Sequence, residues 1–222
     1  MAQTYLQLIN SVLVALREDE VAGVTEPYAK MIGRLVNEAK AEIEDAFPWQ
    51  ALRTQISFSA TASTATTTVT GTTDRSYLMH TPAGEPMCFK TVSGEECQMA
   101  VLPIEELRRL RLASDTTETN EPSYVAFTSD GTNLIAHFWP LPDATYTYAG
   151  VFVVPQDDLS AKTDTLTIPW RPVVEKAILY AMDERGSEFS GRTEFVARRA
   201  DQLLANAILA DSGNEGYTVS EL

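Results

Sequence analysis

Histidine, cysteine and positive charge are all scarce in this 222-residue chain, and each shortage closes off a class of function. The two histidines, His80 and His137, stand in no H-x-x-x-H arrangement, and Cys88 and Cys97 form no C-x-x-C pair. Neither set has the spacing of a zinc site, so no metal is expected. Two cysteines are also too few for a disulfide scaffold. Nine residues apart in a region that reads as a hairpin, they are expected to be free, buried thiols. Lysine and arginine total 17 against 31 aspartates and glutamates, a net charge of −14. Such a surface repels phosphate and offers no broad footprint for nucleic acid. It suits basic partners, or a wall that DNA slides past, and it also favours solubility.

Long apolar runs are missing too. Leu6–Leu16 is broken by Gln7, Asn10 and Ser11, and nothing approaches the roughly 18 residues of a membrane span. The start, Met1-Ala2-Gln3-Thr4, has no basic region of a secretion signal, so the protein is expected to be cytosolic when made.

Catalytic motifs are absent from the pattern. Gly186-Ser187-Glu188-Phe189-Ser190-Gly191 lacks the G-x-S-x-G spacing and falls between two helical segments, so it reads as a breaker. No glycine-rich phosphate loop occurs. Asp130-Gly131-Thr132-Asn133 lacks the alternating acids of a calcium loop and reads as a turn. No catalytic residue and no cofactor are expected. The densest basic cluster is Arg108, Arg109 and Arg111, with no interleaved aromatics for base stacking. It reads as a solvated helix face or a contact with an acidic neighbour.

What the chain does have is two kinds of periodicity. Tyr5, Leu8, Ile9, Val12, Leu13 and Leu16 recur at helical steps, then Gly23 breaks the run. Thr25-Glu26-Pro27 restarts a longer amphipathic helix through Tyr28, Met31, Ile32, Leu35, Val36, Ala39 and Ile43, which ends at Phe47-Pro48-Trp49. Between Leu52 and Ile168 the period shortens to two. Ile56 and Phe58 alternate with Gln55 and Ser57, and the small-residue stretch 59–73 reads as an exposed hairpin or edge with its tip near Gly71. Strands are expected near Tyr77–His80 and Met87–Val92. A short helix follows Leu102-Pro103, with Ile104, Leu107, Leu110 and the Arg111 stem inward. Ser123–Thr128 and Leu134–Trp139 flank a turn at Asp130-Gly131, and Thr145–Val154 forms a longer strand. After Pro169-Trp170, one helix carries Val174, Ala177, Ile178, Ala181 and Met182. A last one carries Val196, Ala200, Leu203, Leu204, Ala207 and Ile208.

The expected fold is therefore α+β. N- and C-terminal helices, residues 1–51 and 169–212, form a helical bundle around an inserted antiparallel β domain, 52–168, with one short helix; 213–222 is a flexible tail. Leu35, Val36, Ile178, Leu203 and Leu204 are expected in the bundle core.

The order of features resembles the head-to-tail adaptors (connectors) of tailed bacteriophages, including the tail tubular protein A type. The likeness lies in the helix closing on Phe47-Pro48-Trp49, the strand run, Pro122-Ser123-Tyr124 and Phe138-Trp139-Pro140-Leu141-Pro142. Tyr146-Thr147-Tyr148-Ala149-Gly150, Pro155 and Ile168-Pro169-Trp170 complete it, over about Thr25–Leu209. The resemblance implies a structural virion protein, in a ring of roughly twelve copies. That ring sits at the head–tail junction between the portal protein and the tail nozzle or tail-tube protein, after assembly in the host cytoplasm. Viral DNA crosses its lumen without specific binding, and no membrane is involved. The family's C-terminal arm points to Asn214, Glu215, Tyr217 and Leu222 as portal contacts. The exposed stretch and the basic cluster make Thr66, Val69, Arg108, Arg109 and Arg111 the candidates for tail or neighbour contact. Two other readings compete. A virion peptidoglycan hydrolase needs a cleft with two carboxylates, one of raised pKa. A carbohydrate- or receptor-binding tail module needs Trp139 and Tyr146–Tyr148 exposed, whereas their alternation within strands makes them core.

Overall fold

The computed structural model describes residues 2–92, 95–113, 119–186 and 191–213. In chain order they form α1 (Tyr5–Ala15), α2 (Pro27–Ala46), β1 (Arg53–Ala60), β2 (Thr66–Val69), β3 (Tyr77–Leu78), β4 (Cys88–Val92) and β5 (Glu95–Gln98). There follow β6 (Ala100–Val101), α3 (Ile104–Ala113), β7 (Tyr124–Ser129), β8 (Leu134–Trp139), β9 (Tyr146–Val153), α4 (Trp170–Arg185) and α5 (Thr193–Ser212). The fold is α+β, with the strands inserted between the helices. Two units are distinguished, Met1–Ala51 with Gln156–Leu222, and Leu52–Pro155.

In the helical unit, Thr4 caps α1. Its hydroxyl accepts from the Gln7 N–H (3.3 Å), and the Gln7 side chain accepts from the Thr4 N–H (2.9 Å). Every member of the first stripe, Tyr5 through Leu16, is buried. Pro27 opens α2 without a side-chain cap on its Glu26 N-cap, so the proline supplies the start signal. Gly33 lets α1 approach closely, since a Cβ there would overlap the Tyr5 hydroxyl. α4 packs on α1, α2 and α5. Leu35, Val36 and Ile178 are buried as expected. Leu203 and Leu204 are not. Val196 and Ala200 of the α5 stripe are buried, whereas both leucines are half-buried.

Residues 156–168 belong with the helices, although their pattern places them with the β region. Hydrogen bonds explain the placement. Asn37 of α2 clasps Leu159 through both backbone groups at 3.0 Å. Tyr5 N–H donates to Asp164 (2.7 Å), Leu166 N–H donates to Gln3 (3.0 Å), and Leu159, Leu166 and Ile168 are buried. Beneath this strap, Lys40 and Glu44 of α2 form an ion pair whose side chains are fully inaccessible.

The second unit is a sandwich of two sheets, ordered β1-β9-β4-β5, with β3 also on β9, and β2-β8-β7-β6. Its core takes alternate residues from each strand: Ile56, Phe58 and Ala60 of β1, Leu134, Ala136 and Phe138 of β8, and Tyr148 and Phe152 of β9. Gly150 keeps the intervening place open, because a Cβ there would run into the Phe152 ring. α3 lies on the outer face of the second sheet, where Leu107 packs with Ala126 and Trp139. One local expectation is narrowed and two are corrected. Of the two forms expected for 59–73, hairpin or edge, β2 takes the second: it is the edge of its sheet and pairs with β8, not with a strand beyond Gly71. The sheets are not wholly antiparallel, because α3 serves as the crossover joining β6 to β7 in a parallel pair. Of the two free thiols, Cys88 is buried but Cys97 is exposed. Burial pushes the Cys88 thiol up to about 12.

Candidate functional site

The contact candidates of the β unit gather where β2, β8 and the last turn of α3 meet. β2 is the edge of its sheet, and alternation divides its residues: Thr66 and Thr68 are exposed, while Val69 is fully buried. Val69 belongs to the sandwich core and leaves the contact set. It is the large apolar residue of the strand, so it points inward.

Arg111 also turns inward. Its Nη2 donates to the carbonyls of Phe138 (3.0 Å) and Ala65 (3.4 Å), tying α3 to the end of β8 and the start of β2. Arg108, about one turn from it, and Arg109 are exposed, as is Leu112 at 85%. Thr66 pairs in register with His137, whose Nε2 lies 2.8 Å from Thr128 Oγ1. Sequence reasoning missed His137 because a lone histidine in a strand carries no motif. Burial, then the charges of Arg111 and Arg108, hold its imidazole below the usual range. The exposed surface here is thus threonine edge and arginine, with the half-buried His137 beside them.

That arrangement has a pH signature. A depressed histidine pKa favours the neutral ring in the fold, so its stabilising contribution is complete above about pH 6.5 and is lost as pH falls through the lowered folded value. Nuclear magnetic resonance titration should place the His137 midpoint below 6.5, and Arg111→Met should raise it. A wild-type midpoint at or above 6.5 would contradict the arrangement.

Among the described residues, the acids with displaced pKa values are displaced downward, whereas a general acid needs a raised one. Burial pushes Glu42 up, but hydrogen bonds from Lys176 and Tyr180 outweigh it and hold the carboxyl below its usual range. Backbone N–H groups of Asn133 and Thr132 lower Asp130, and those of Ser160 and Ala161 lower Asp164. The Asp130 bonds, 2.7 and 2.8 Å to Oδ1, are those of a turn. Of the three aromatics expected to be exposed in a sugar-binding module, two are buried and the third is hydrogen-bonded. Trp139 and Tyr148 are buried, and the Tyr146 hydroxyl donates to Asp143 at 2.6 Å. Among the described residues no group of acids, histidines and cysteines is placed to hold a metal ion, and no helix is long and apolar enough to cross a membrane. Asn214, Glu215, Tyr217 and Leu222 lie outside the described residues.

Two comparisons with known proteins bear on these surfaces. The family model described as SU10 adaptor protein matches residues 3–218. No curated protein matches the chain.

Proposed function

The chain belongs to the SU10 adaptor protein family and is thus an adaptor, a structural component of a phage virion; we propose that it acts as one subunit of a ring between portal and tail. The observation that carries this reading is the family match across nearly the whole chain, helices and strands together. The helical unit meets the portal protein and the β unit meets the tail nozzle or tube. Arg108, Arg109 and the Thr66 edge serve contact with the tail or a neighbouring copy. A net charge of −14 per chain suits a wall that leaves DNA unbound. At about 0.15 M salt, with a screening length near 8 Å, duplex binding is expected to be weaker than micromolar.

Electron cryomicroscopy of the chain with and without its portal protein tests the proposal. Rings are expected on the portal, with the isolated chain monomeric or weakly associated in sedimentation. Absence of the chain from the portal at equimolar concentration would overturn the reading. A stable large ring without portal would overturn its order of assembly.

A further inference from the structure

β1 is an edge strand of the kind that soluble proteins guard. It pairs with β9 without a break from Arg53 to Ala60, and its other side pairs with no strand among the described residues. Lysine, proline and bulges blunt such edges, and β1, Arg-Thr-Gln-Ile-Ser-Phe-Ser-Ala, has none of them. Alternation decides which groups it offers. The Val154 N–H donates to the Leu52 carbonyl (2.9 Å), so the even-numbered residues of β1 bond to β9. The backbone groups of Gln55, Ser57 and Ser59 therefore point away from the sheet, and their side chains are exposed.

β5, at the opposite edge of the same sheet, offers the match. The Met99 N–H donates to the Cys88 carbonyl (2.8 Å), so the backbone groups of Gln98 point away from β4. Met99 belongs to the core and Gln98 is exposed, which puts Gln98 on the same outer face as Ser57. Pairing is antiparallel throughout β1, β9, β4 and β5, and an even number of strands leaves the two edges running in opposite directions. β5 of one copy can thus continue the sheet beyond β1 of another, antiparallel and with the pleat in phase. Composition agrees: the one charge of β1 is Arg53, and the two of β5 are Glu95 and Glu96. Unlike charges meet in this pairing, whereas β5 against β5 would bring acids together.

We propose that β5 of one copy adds to the β1 edge of the next, so that a single sheet runs from subunit to subunit. This rests on the ring reading and supplies the two unlike surfaces that a head-to-tail ring requires. Strand addition draws its affinity from main-chain hydrogen bonds. β5 has only four residues, so the contact is too small to hold two free copies together. It forms once subunits are held side by side on the portal.

Cysteine cross-linking on the portal tests the pairing. Three variants carry Gln55→Cys, Ser57→Cys or Ser59→Cys, each with Gln98→Cys and Cys97→Ser, while Cys88 is buried. Opposed Cα atoms in such a pair lie about 5.5 Å apart, within the span of a disulfide. Each chain bears both halves of the link, so oxidation should turn at least one variant into a ladder of linked multimers. Hydrogen exchange of the unmodified chain reads the same contact, and the amides of Gln55, Ser57 and Ser59 should slow about tenfold or more on the portal. A product that stops at the dimer and needs only the β1 cysteine would overturn the proposal in favour of a two-fold β1–β1 contact. Unchanged exchange with no cross-link, in rings visible on the portal, would overturn the strand pairing and leave the ring reading standing. Absence of rings would overturn both.

Discussion

Replacing Lys40 with methionine is expected to destabilise the helical unit by about 3–5 kcal/mol, because it removes one member of a buried, hydrogen-bonded ion pair. Both side chains are fully inaccessible, with Lys40 Nζ 3.2 and 3.3 Å from the two Glu44 oxygens. The pair has a second task. Lys40 donates to the Gln156 carbonyl at 2.6 Å, and Gln156 N–H donates to Glu44 at 3.2 Å. The strap that returns from the strands is therefore pinned to α2 at its first residue. Lys40→Met with Glu44→Leu removes both charges and should recover part of the loss. It cannot recover all of it, since each backbone group of Gln156 left without a partner costs about 1–3 kcal/mol. Urea unfolding of the wild type and both variants gives the three values. A single variant within half a kcal/mol of wild type would show that water reaches the pair.

The same residues mark where sequence patterning stops being informative. A helical stripe of large apolar residues is self-announcing, and Tyr5 through Leu16 are buried as their spacing requires. The β7–β8 hairpin is equally legible, since strong alternation flanks an Asp-Gly turn with Gly131 at φ +90°. Lys40 and Glu44 stand four apart on a helix, the spacing of an ordinary solvent-facing pair. Only the return of residues 156–168, a segment with little periodicity, puts them inside. Leu203 and Leu204 err the other way: the stripe exists, but these two positions are only half-buried. Val69 and Arg111 look exposed by neighbourhood, a threonine-rich stretch and a basic cluster, whereas strand alternation and two carbonyls decide where each side chain goes. Contact surfaces are the least legible part, because exposed threonine or arginine looks the same in sequence with or without a partner.

Phe58→Ala is expected to cost the β unit about 3–5 kcal/mol, the range for emptying a buried phenylalanine site. Phe58 is 5% exposed and its ring is met from both sheets. Tyr148 of β9 stacks at 5.7 Å between centroids, and Phe138 of β8 stacks at 6.3 Å. Phe127 of β7 and Phe152 of β9 present edges at 5.9 and 6.3 Å. Removing one ring therefore loses several aromatic contacts at once, each worth about 0.5–1.5 kcal/mol beyond its buried area. Crowded neighbours from two sheets collapse poorly into the space, which keeps the cost high. Ser57, next in the chain, is exposed on the opposite face of β1, so Ser57→Ala should stay within about half a kcal/mol of wild type. The contrast tests register as well as burial. Strand side chains alternate, so a slip of one residue between β1 and β9 would exchange the roles of Ser57 and Phe58. Denaturant unfolding followed by near-ultraviolet dichroism of the aromatic cluster reads both variants. Comparable losses for the two, or a loss below 1 kcal/mol for Phe58→Ala, would refute the sandwich core as the element that holds the threonine edge and the arginine helix in place.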